Sequence, residues 1–477
     1  MGKGVCVKAQ RMPPPEPVAA PARRKRRGRR PPQPIVFSPN QERALAAAKR
    51  GANIFLTGGA GTGKSFILEH IVAALRARYH GSGLAVGVAA STGVAALNVH
   101  GTTIHALLGT KICGNILQAS ARLRDLQKAA QSPWGSDSRD SLPLLKRRIG
   151  KLGAIVVDEV SMLTGDYVDM MCWWLQEMRA SDAPFGGLQV IFCGDYMQLP
   201  PVIKRGDRVV THFGFASDAW RDAGMEVVAL QKVFRQDDRH FVGHLKRVRF
   251  GELPEDTRSY FSECVGREFE REPTRLFATN REVDMLNRKM LDLLPGPEHE
   301  YVADVRAPTP ELRKRLLRDA YVEEVICLRK GADVLLARNK YDDVDGERIY
   351  VNGDRGTVMS MDEKCATIRL LRTDEDITVR REEWALERIE PDGSRKKLAY
   401  MTQLPLKLAW AVSIHKAQGQ SLDPVEVDLD RCFEKGQAYV ALSRARRYEG
   451  LRLVGPVEER HVMVHPECAE FHRAVEG

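Results

Sequence analysis

Long apolar runs are missing from this 477-residue chain. No stretch approaches the roughly 18 consecutive apolar residues of a membrane span, so no membrane partner is expected. The N-terminus lacks the apolar stretch, about 7–15 residues long, of a secretory signal. Met1-Gly2 opens like a myristoylation site, but Cys6 stands where Ser or Thr is required. Cysteine is sparse: nine residues, scattered singly, with no C-x-x-C and no paired histidine spacing. That argues against structural zinc and for reduced thiols in an intracellular protein, with Cys193 reading as a small core hydrophobe. No long repeat or heptad pattern appears.

Net charge is missing from most of the chain as well. The total is +10, yet residues 1–34 hold ten Lys or Arg against one acid, Glu16, and so account for +9. The remaining 443 residues sum to about +1. Any polyanion must therefore be held by local patches rather than by global attraction. The tail, rich in Pro and Ala and carrying RRKRRGRR at 23–30, is expected to be disordered. It reads as a solvated basic arm, a nuclear import signal or a nonspecific DNA-binding arm. Its Arg-rich, acid-poor character also fits a mitochondrial transit peptide, although its prolines spoil an amphipathic helix.

What is present is chemically specific. At roughly 150 residues per domain the length allows about three units, and 43% hydrophobic residues supply their cores. From Asn53 the chain reads NIFLTGGAGTGKSFILEHIVAAL: a short apolar strand, a glycine-rich loop, then an amphipathic helix. This is G-x-x-x-x-G-K-[ST] in its required context. Gly58, Gly59, Ala60, Gly61, Thr62 and Gly63 let backbone N–H groups curl round phosphate oxygens at a helix N-terminus. Lys64 is expected on the β/γ-phosphates and Ser65 on Mg²⁺, so ATP and Mg²⁺ are the expected cofactors.

A second buried strand, GAIVVDEVSML (153–163), ends in Asp158-Glu159. Alone this is a core strand with surface acids. Beside a phosphate loop, Asp158 is assigned to the Mg²⁺ shell and Glu159 to general base. A third strand, LQVIFCGDYMQLPPV (188–202), delivers Gly194-Asp195 and Gln198 to its carboxyl end, where ligands of parallel sheets sit. Gln198 is placed near the γ-phosphate, and Pro200-Pro201 set the turn beyond it. Farther on, FRQ (234–236), WAVSIHKAQGQSLD (410–423) and GQAYVALSRARR (436–447) offer Arg235 and Arg444 as γ-phosphate clamps. Each arginine alone also suits a surface ion pair.

Assembled, these motifs resemble the Pif1-like helicases of helicase superfamily 1, over Ser38 to Ala474. SPNQERAL (38–45) resembles the adenine-reading Q motif, with Gln41 the implied contact. AASTGVAALNVHGTTIHALLG (89–109) resembles motif Ia and its extension, and residues 165–189 resemble a segment that marks the group. FRQ, LFATNREVDMLN (276–287) and the two distal stretches match later motifs, with Gly419 counted among the ATP contacts. Tyr196-Met197 stands where the family often has an aromatic pair.

The resemblance implies an α/β protein with two RecA-like P-loop NTPase domains on parallel sheets, an inserted SH3-like β-barrel, and the disordered basic tail at 1–34. The expected bounds are 35–233 for the first domain with a wedge element, 234–315 and 402–477 for the second, and 316–401 for the insertion. Catalytic roles fall to Lys64, Asp158, Glu159, Gln198, Arg235 and Arg444. The implied activity is ATP-dependent 5′→3′ unwinding of DNA, serving repair, recombination, telomere or genome maintenance. Expected partners are single-stranded and tailed duplex DNA, with G-quadruplexes and RNA–DNA hybrids as further candidates. A monomer is expected, with oligomers on DNA open, in the nucleus or alternatively the mitochondrion. A helicase subunit of a larger machine and a nucleotide-gated DNA-binding protein remain as rival readings.

The loop ASTGVAA (90–96) can set backbone N–H groups and Ser91, Thr92 and Gly93 against a DNA phosphate, or form a tight turn with a helix cap, or both. His105 suits either the core or the strand of DNA. His415 and Lys416 are the stronger DNA contacts by resemblance. Trp173-Trp174 on one helix point in different directions and read as structural. Residues 111–150 are expected to be helical, and Asn352-Gly353 to turn a hairpin.

Overall fold

The computed structural model describes residues 36–476 except 112, 132–140, 204–207, 320–321, 342–347 and 390–394. The basic tail at 1–34 thus lies outside the described residues. Helix α1 (Pro39–Arg50) starts at a reciprocal cap: Ser38 accepts from the Gln41 backbone, and the Gln41 side chain accepts from Ser38 N–H. Strand β1 (Ile54–Gly58) is buried throughout, and α2 (Lys64–Tyr79) begins six residues later with Ile67, Leu68, Ile71, Val72 and Leu75 turned inward.

Around β1 lie β2 (Ala85–Ala90), β3 (Thr102–Thr103), β4 (Leu152–Asp158), β5 (Gln189–Cys193) and β6 (Glu226–Leu230). Their order is β3-β2-β4-β5-β1-β6, and every pairing is parallel. Burial on both faces explains why these strands read as continuous apolar runs rather than alternating ones. The order has one consequence for function. β1, β5 and β4 are neighbours, so the glycine loop, Gly194-Asp195 and Asp158-Glu159 emerge side by side from one sheet edge.

A second parallel sheet is built around β7 (Thr274–Phe277), flanked by Ala411–Ser413 on one side and by Val425–Val427 and then Leu451–Leu453 on the other. Its core includes Phe241, Leu245, Val412, Val440 and Leu442. Two sheets of this kind are the expected α/β pair. Residues from Ser38 onward form one compact unit.

The β-rich insertion is antiparallel. Five strands run in the order Asp376–Arg380, Cys365–Leu370, Arg355–Met361, Asp333–Leu336, Leu406–Leu408. Glu382–Ile389, Arg395–Gln403 and Asp304–Arg306 form a separate three-stranded sheet. These pairings draw in residues on both sides of 316–401. The turn at Asn352-Gly353 exists, with Gly353 at φ +91°, but it does not close a hairpin. Arg348–Tyr350 pairs back with Lys340–Tyr341, while Arg355–Met361 joins the five-stranded sheet. Gly353 N–H donates to Leu336 O at 2.8 Å, so the turn passes the chain from one sheet to the other.

Two further segments find places that periodicity does not specify. Helices Ile116–Gln131 and Leu142–Gly150 pack with helix Gly165–Arg179. There Trp174 is fully buried and donates to Leu108 O at 3.0 Å, a structural role. The helix Pro466–Glu476, inside the stretch assigned to the second domain, packs with the first lobe instead. Cys468 and Ala469 join its core, and the Phe471 ring stacks on Phe215 at 4.3 Å.

Candidate nucleotide and nucleic-acid site

The glycine loop is shaped by steric exclusion. Gly58 (φ +147°) would place a Cβ 2.5 Å from Leu230 O, and Gly61 (φ +77°) would place one 2.5 Å from Arg235 Cβ. Only glycine accommodates both the torsions and the approach. Thr62 closes the loop by donating to Gly59 O at 2.9 Å. Lys64 Nζ donates to Gly58 O at 2.8 Å and Gly59 O at 3.2 Å, which parks the ammonium at the mouth of the loop. Ser65 is exposed on the first turn of α2.

At the end of β4, Asp158 accepts from Glu159 N–H at 2.9 Å. Glu159 itself sits at φ +51°, in left-handed backbone that a non-glycine residue rarely adopts. Burial disfavours its charged form, and the neighbouring Asp158 charge adds to this, so its pKa rises to about 7 although Lys64 and Arg444 pull it back. Burial also raises Asp158. Two crowded carboxylates with raised pKa values suit a site that receives a cation.

The second lobe supplies the opposite wall. Phe234 N–H donates to Gly61 O at 2.8 Å, which seats Arg235 directly against the loop. Arg235 donates to Gly419 O at 2.8 Å and Ser443 O at 3.3 Å. Arg444, 1% exposed, donates to the carbonyls of Val440, Ala417 and Gln420 and to the Ser443 hydroxyl. Burial lowers Arg235 to about 10; burial and then the Arg235 charge lower Arg444 to about 9. A buried arginine and a half-buried one, both held by neutral carbonyls, are poised for an anion.

Across the gap, Gln418 Nε2 donates to Glu159 Oε2 at 3.1 Å and lies 3.4 Å from Gln198 Oε1. Gln198 in turn donates to Asp195 Oδ2 at 3.1 Å. Tyr439 of the second lobe accepts from Ala60 N–H at 2.8 Å. The expected ATP-site residues from the two lobes thus converge on one cleft.

Gln41 meets the loop as well, its Nε2 lying 3.0 Å from the Cβ position of Gly63. The Phe234 ring reaches within 3.5 Å of the same position and remains 47% exposed, with Lys232 Nζ 5.0 Å above it. Sequence reasoning missed Phe234 and Tyr439 as site residues and singled out Gln418 only as part of a motif, without a role. For Phe234 a signal existed: an aromatic residue immediately before a clamp arginine. Tyr439 carried none, since its role depends on a contact across the cleft.

The expected DNA contacts lie beyond the ends of three separate strands. Ser91 N–H donates to Asp158 O at 3.2 Å, and its hydroxyl is buried without a hydrogen-bond partner. Thr92 caps the short helix Gly93–Asn98 by accepting from Ala95 N–H at 3.2 Å. The turn-and-cap reading of this loop therefore holds. His105 packs its ring 4.9 Å from Tyr167. His415 and Lys416 follow the strand Ala411–Ser413 of the second sheet. Burial lowers the His415 pKa. Lys416 shares a 340 Å³ cavity with Lys407, whose pKa burial and Lys416 push down to about 7.

The sequence pattern of PIF1-like helicases matches residues 36–258. The ATP-dependent DNA helicase PIF1 of Xenopus laevis is 35% identical over 450 residues, 93% of this chain and 65% of the relative. The ATP-dependent DNA helicase Pif1 of Bdellovibrio bacteriovorus is 32% identical, with 93% of both chains covered. The chain belongs to the PIF1-like helicase family. Among solved Pif1 helicases, that of Candida albicans is similar at TM-score 0.69 and 31% identity, covering 92% of this chain and 99% of the other. Bacteroides sp Pif1 in complex with ADP-AlF4 matches at TM-score 0.77 and 27% identity, covering 93% and 98%. The Bacteroides protein bound to ssDNA matches at TM-score 0.60 and 27% identity, with the same coverage. The chain spans slightly less than two thirds of the length of the first vertebrate PIF1 relatives it matches.

Proposed function

We propose that the chain is an ATP-dependent DNA helicase that moves 5′→3′ along single-stranded DNA and unwinds tailed duplex. The observation that carries this reading is the two-walled cleft: Arg235 lies against the phosphate loop at Gly61 while Gln418 holds Glu159. Family membership and the nucleotide and ssDNA complexes of its relatives support it.

ATP is the substrate of this cleft. Lys64 and the loop N–H groups hold the β- and γ-phosphates, and Phe234 and Gln41 offer a flat apolar face and an amide to the base. Glu159 accepts a proton from the attacking water. Arg235 and Arg444 leave their carbonyl partners to clamp the γ-phosphate oxygens, where charge develops in the transition state. Gln198 senses the terminal phosphate.

Among the described residues no cluster of three His, Cys, Asp or Glu side chains could hold a metal unaided. Mg²⁺ needs less, because one carboxylate, waters and substrate phosphates complete its shell. Ser65 and Asp158 would hold it, and when bound it neutralises the β/γ-phosphate oxygens.

Loss of the γ-phosphate removes the ligand shared by the walls, so the lobes part. Ser91, Thr92, Gly93 and His105 on the first lobe, with His415 and Lys416 on the second, are the contacts through which that motion reaches DNA. G-quadruplexes and RNA–DNA hybrids are further candidate substrates, and a monomer is the working state, with oligomers on DNA as the alternative. The basic arm directs the protein to the nucleus, or alternatively to the mitochondrion; a reporter fused to residues 1–34 separates these. Strand displacement on 5′-tailed and 3′-tailed duplexes, with and without ATP, tests the activity. ATP-dependent release from the 5′-tailed substrate alone is expected, and release from the 3′-tailed one alone would reverse the assigned direction.

A further inference from the structure

Asp195 has no role in the chemistry above, although β5 delivers it to the heart of the site and it is fully buried. Its carboxylate is engaged on both oxygens. Arg249, from the second-lobe helix Arg239–Arg249, donates Nη2 to Oδ1 at 2.8 Å and Nε to Oδ2 at 3.2 Å. The same guanidinium donates to Glu476 at 2.8 and 2.6 Å and lies 3.3 Å from His472 Nδ1. His472 and Glu476 belong to the helix docked on the first lobe. Arg249 thus bridges the lobes while remaining almost wholly buried. These charges hold Asp195 well below the usual carboxylate range, and Glu476 at about 2.

From Asp195 a continuous polar chain leads to the reacting water's expected base: Asp195 accepts from Gln198, Gln418 bridges Gln198 and Glu159, and each link is a hydrogen bond of 3.1–3.4 Å. Asp195 Oδ1 also accepts from Met197 N–H at 3.1 Å, so breaking the fork at Arg249 leaves one oxygen held by the backbone and loosens Oδ2, the oxygen that accepts from Gln198. A lone lysine cannot restore the fork, because an ammonium has no fixed planar pair of donors.

We propose that Arg249 is a positioning residue of the ATP site. Together with Glu476 and His472 it clamps Asp195, which orients Gln198 and, through Gln418, the carboxylate of Glu159. The seating of helix Pro466–Glu476 is thereby coupled to hydrolysis. This rests on Glu159 being the general base.

The test is a cycle of steady-state ATPase measurements on the full chain with single-stranded DNA present. Arg249→Lys should lower kcat roughly tenfold with KM for ATP changed by less than about threefold. Gln198→Ala should lower kcat on its own, and the double variant should be no slower than Gln198→Ala, because both act through one path. Multiplicative losses in the double variant would overturn the proposal, since a merely structural arginine acts independently of Gln198. Glu476→Gln, which removes one of the charges that fix the Arg249 guanidinium, should lower kcat to a smaller extent and serves the same cycle, with the same two outcomes, should Arg249→Lys fail to fold by circular dichroism. Glu159→Gln, run in parallel, separates the two levels: wild-type hydrolysis by that variant sinks the base assignment and this proposal together, whereas its inactivity beside multiplicative losses sinks this proposal alone.

Discussion

The first-lobe wall of the cleft comes from eight consecutive residues, Gly58–Ser65, plus the ends of two neighbouring strands. The second-lobe wall draws Arg235, Gln418 and Arg444 from three separate segments that only the fold brings together. The walls differ in polarity of design as well. The first presents backbone N–H groups, a lysine and crowded carboxylates. The second presents arginines whose donors are taken up by carbonyls. On the proposed reading, the contiguous wall binds and the assembled wall responds to what is bound. If the comparison is right, damage to each wall should have a different kinetic signature.

The sharpest contrast is Lys64→Ala, which should lower ATP turnover by on the order of 10³-fold or more while leaving much of the DNA binding. ATPase assay and DNA anisotropy on one preparation check it, and wild-type unwinding by this variant would break the first-wall assignment outright. Arg444→Ala comes next, with kcat reduced on the order of 10²–10³-fold and ATP affinity nearly retained. An equal loss of affinity, read by nucleotide titration, would mean that the second wall binds as the first does and would dissolve the distinction.

The carboxylates give a smaller effect, set by pH. Burial raises Glu159 to about 7, and a general base works only deprotonated. The rate should therefore rise with pH up to about 7 and then level, falling about tenfold per unit on the acid side. A profile of kcat/KM for ATP, flat down to pH 5, would remove the crowded-carboxylate argument. Smallest is Phe234→Ala, expected to raise KM for ATP roughly fivefold at unchanged kcat. A change in kcat instead would place Phe234 with the responding parts of the wall.

The same division explains what was legible in the sequence. The placement of the phosphate loop, Asp158-Glu159 and the strand leading to Gln198 was readable because it follows from local spacing: glycines for torsion, an acid at a strand end, an apolar run before it. Arg235 and Arg444 were readable through resemblance, their separate ion-pair readings giving way once carbonyl partners at the cleft replaced carboxylates. Asn352-Gly353 misled because a turn signal specifies a change of direction and not which strands pair afterwards. Phe234 and Tyr439 passed unnoticed for a related reason, since an aromatic residue looks the same whether it fills a core or faces a cleft.

Sequence alone therefore determined the local shape of the first wall and the parallel sheet that carries it, since torsional demands and two-faced burial act over a few residues. Tertiary structure decided the rest. It packed Pro466–Glu476 on the first lobe, set Arg249 between Asp195 and Glu476, and stretched Gln418 to Glu159. Such contacts join residues far apart in the chain, and their energies come from geometry and desolvation that no local pattern encodes.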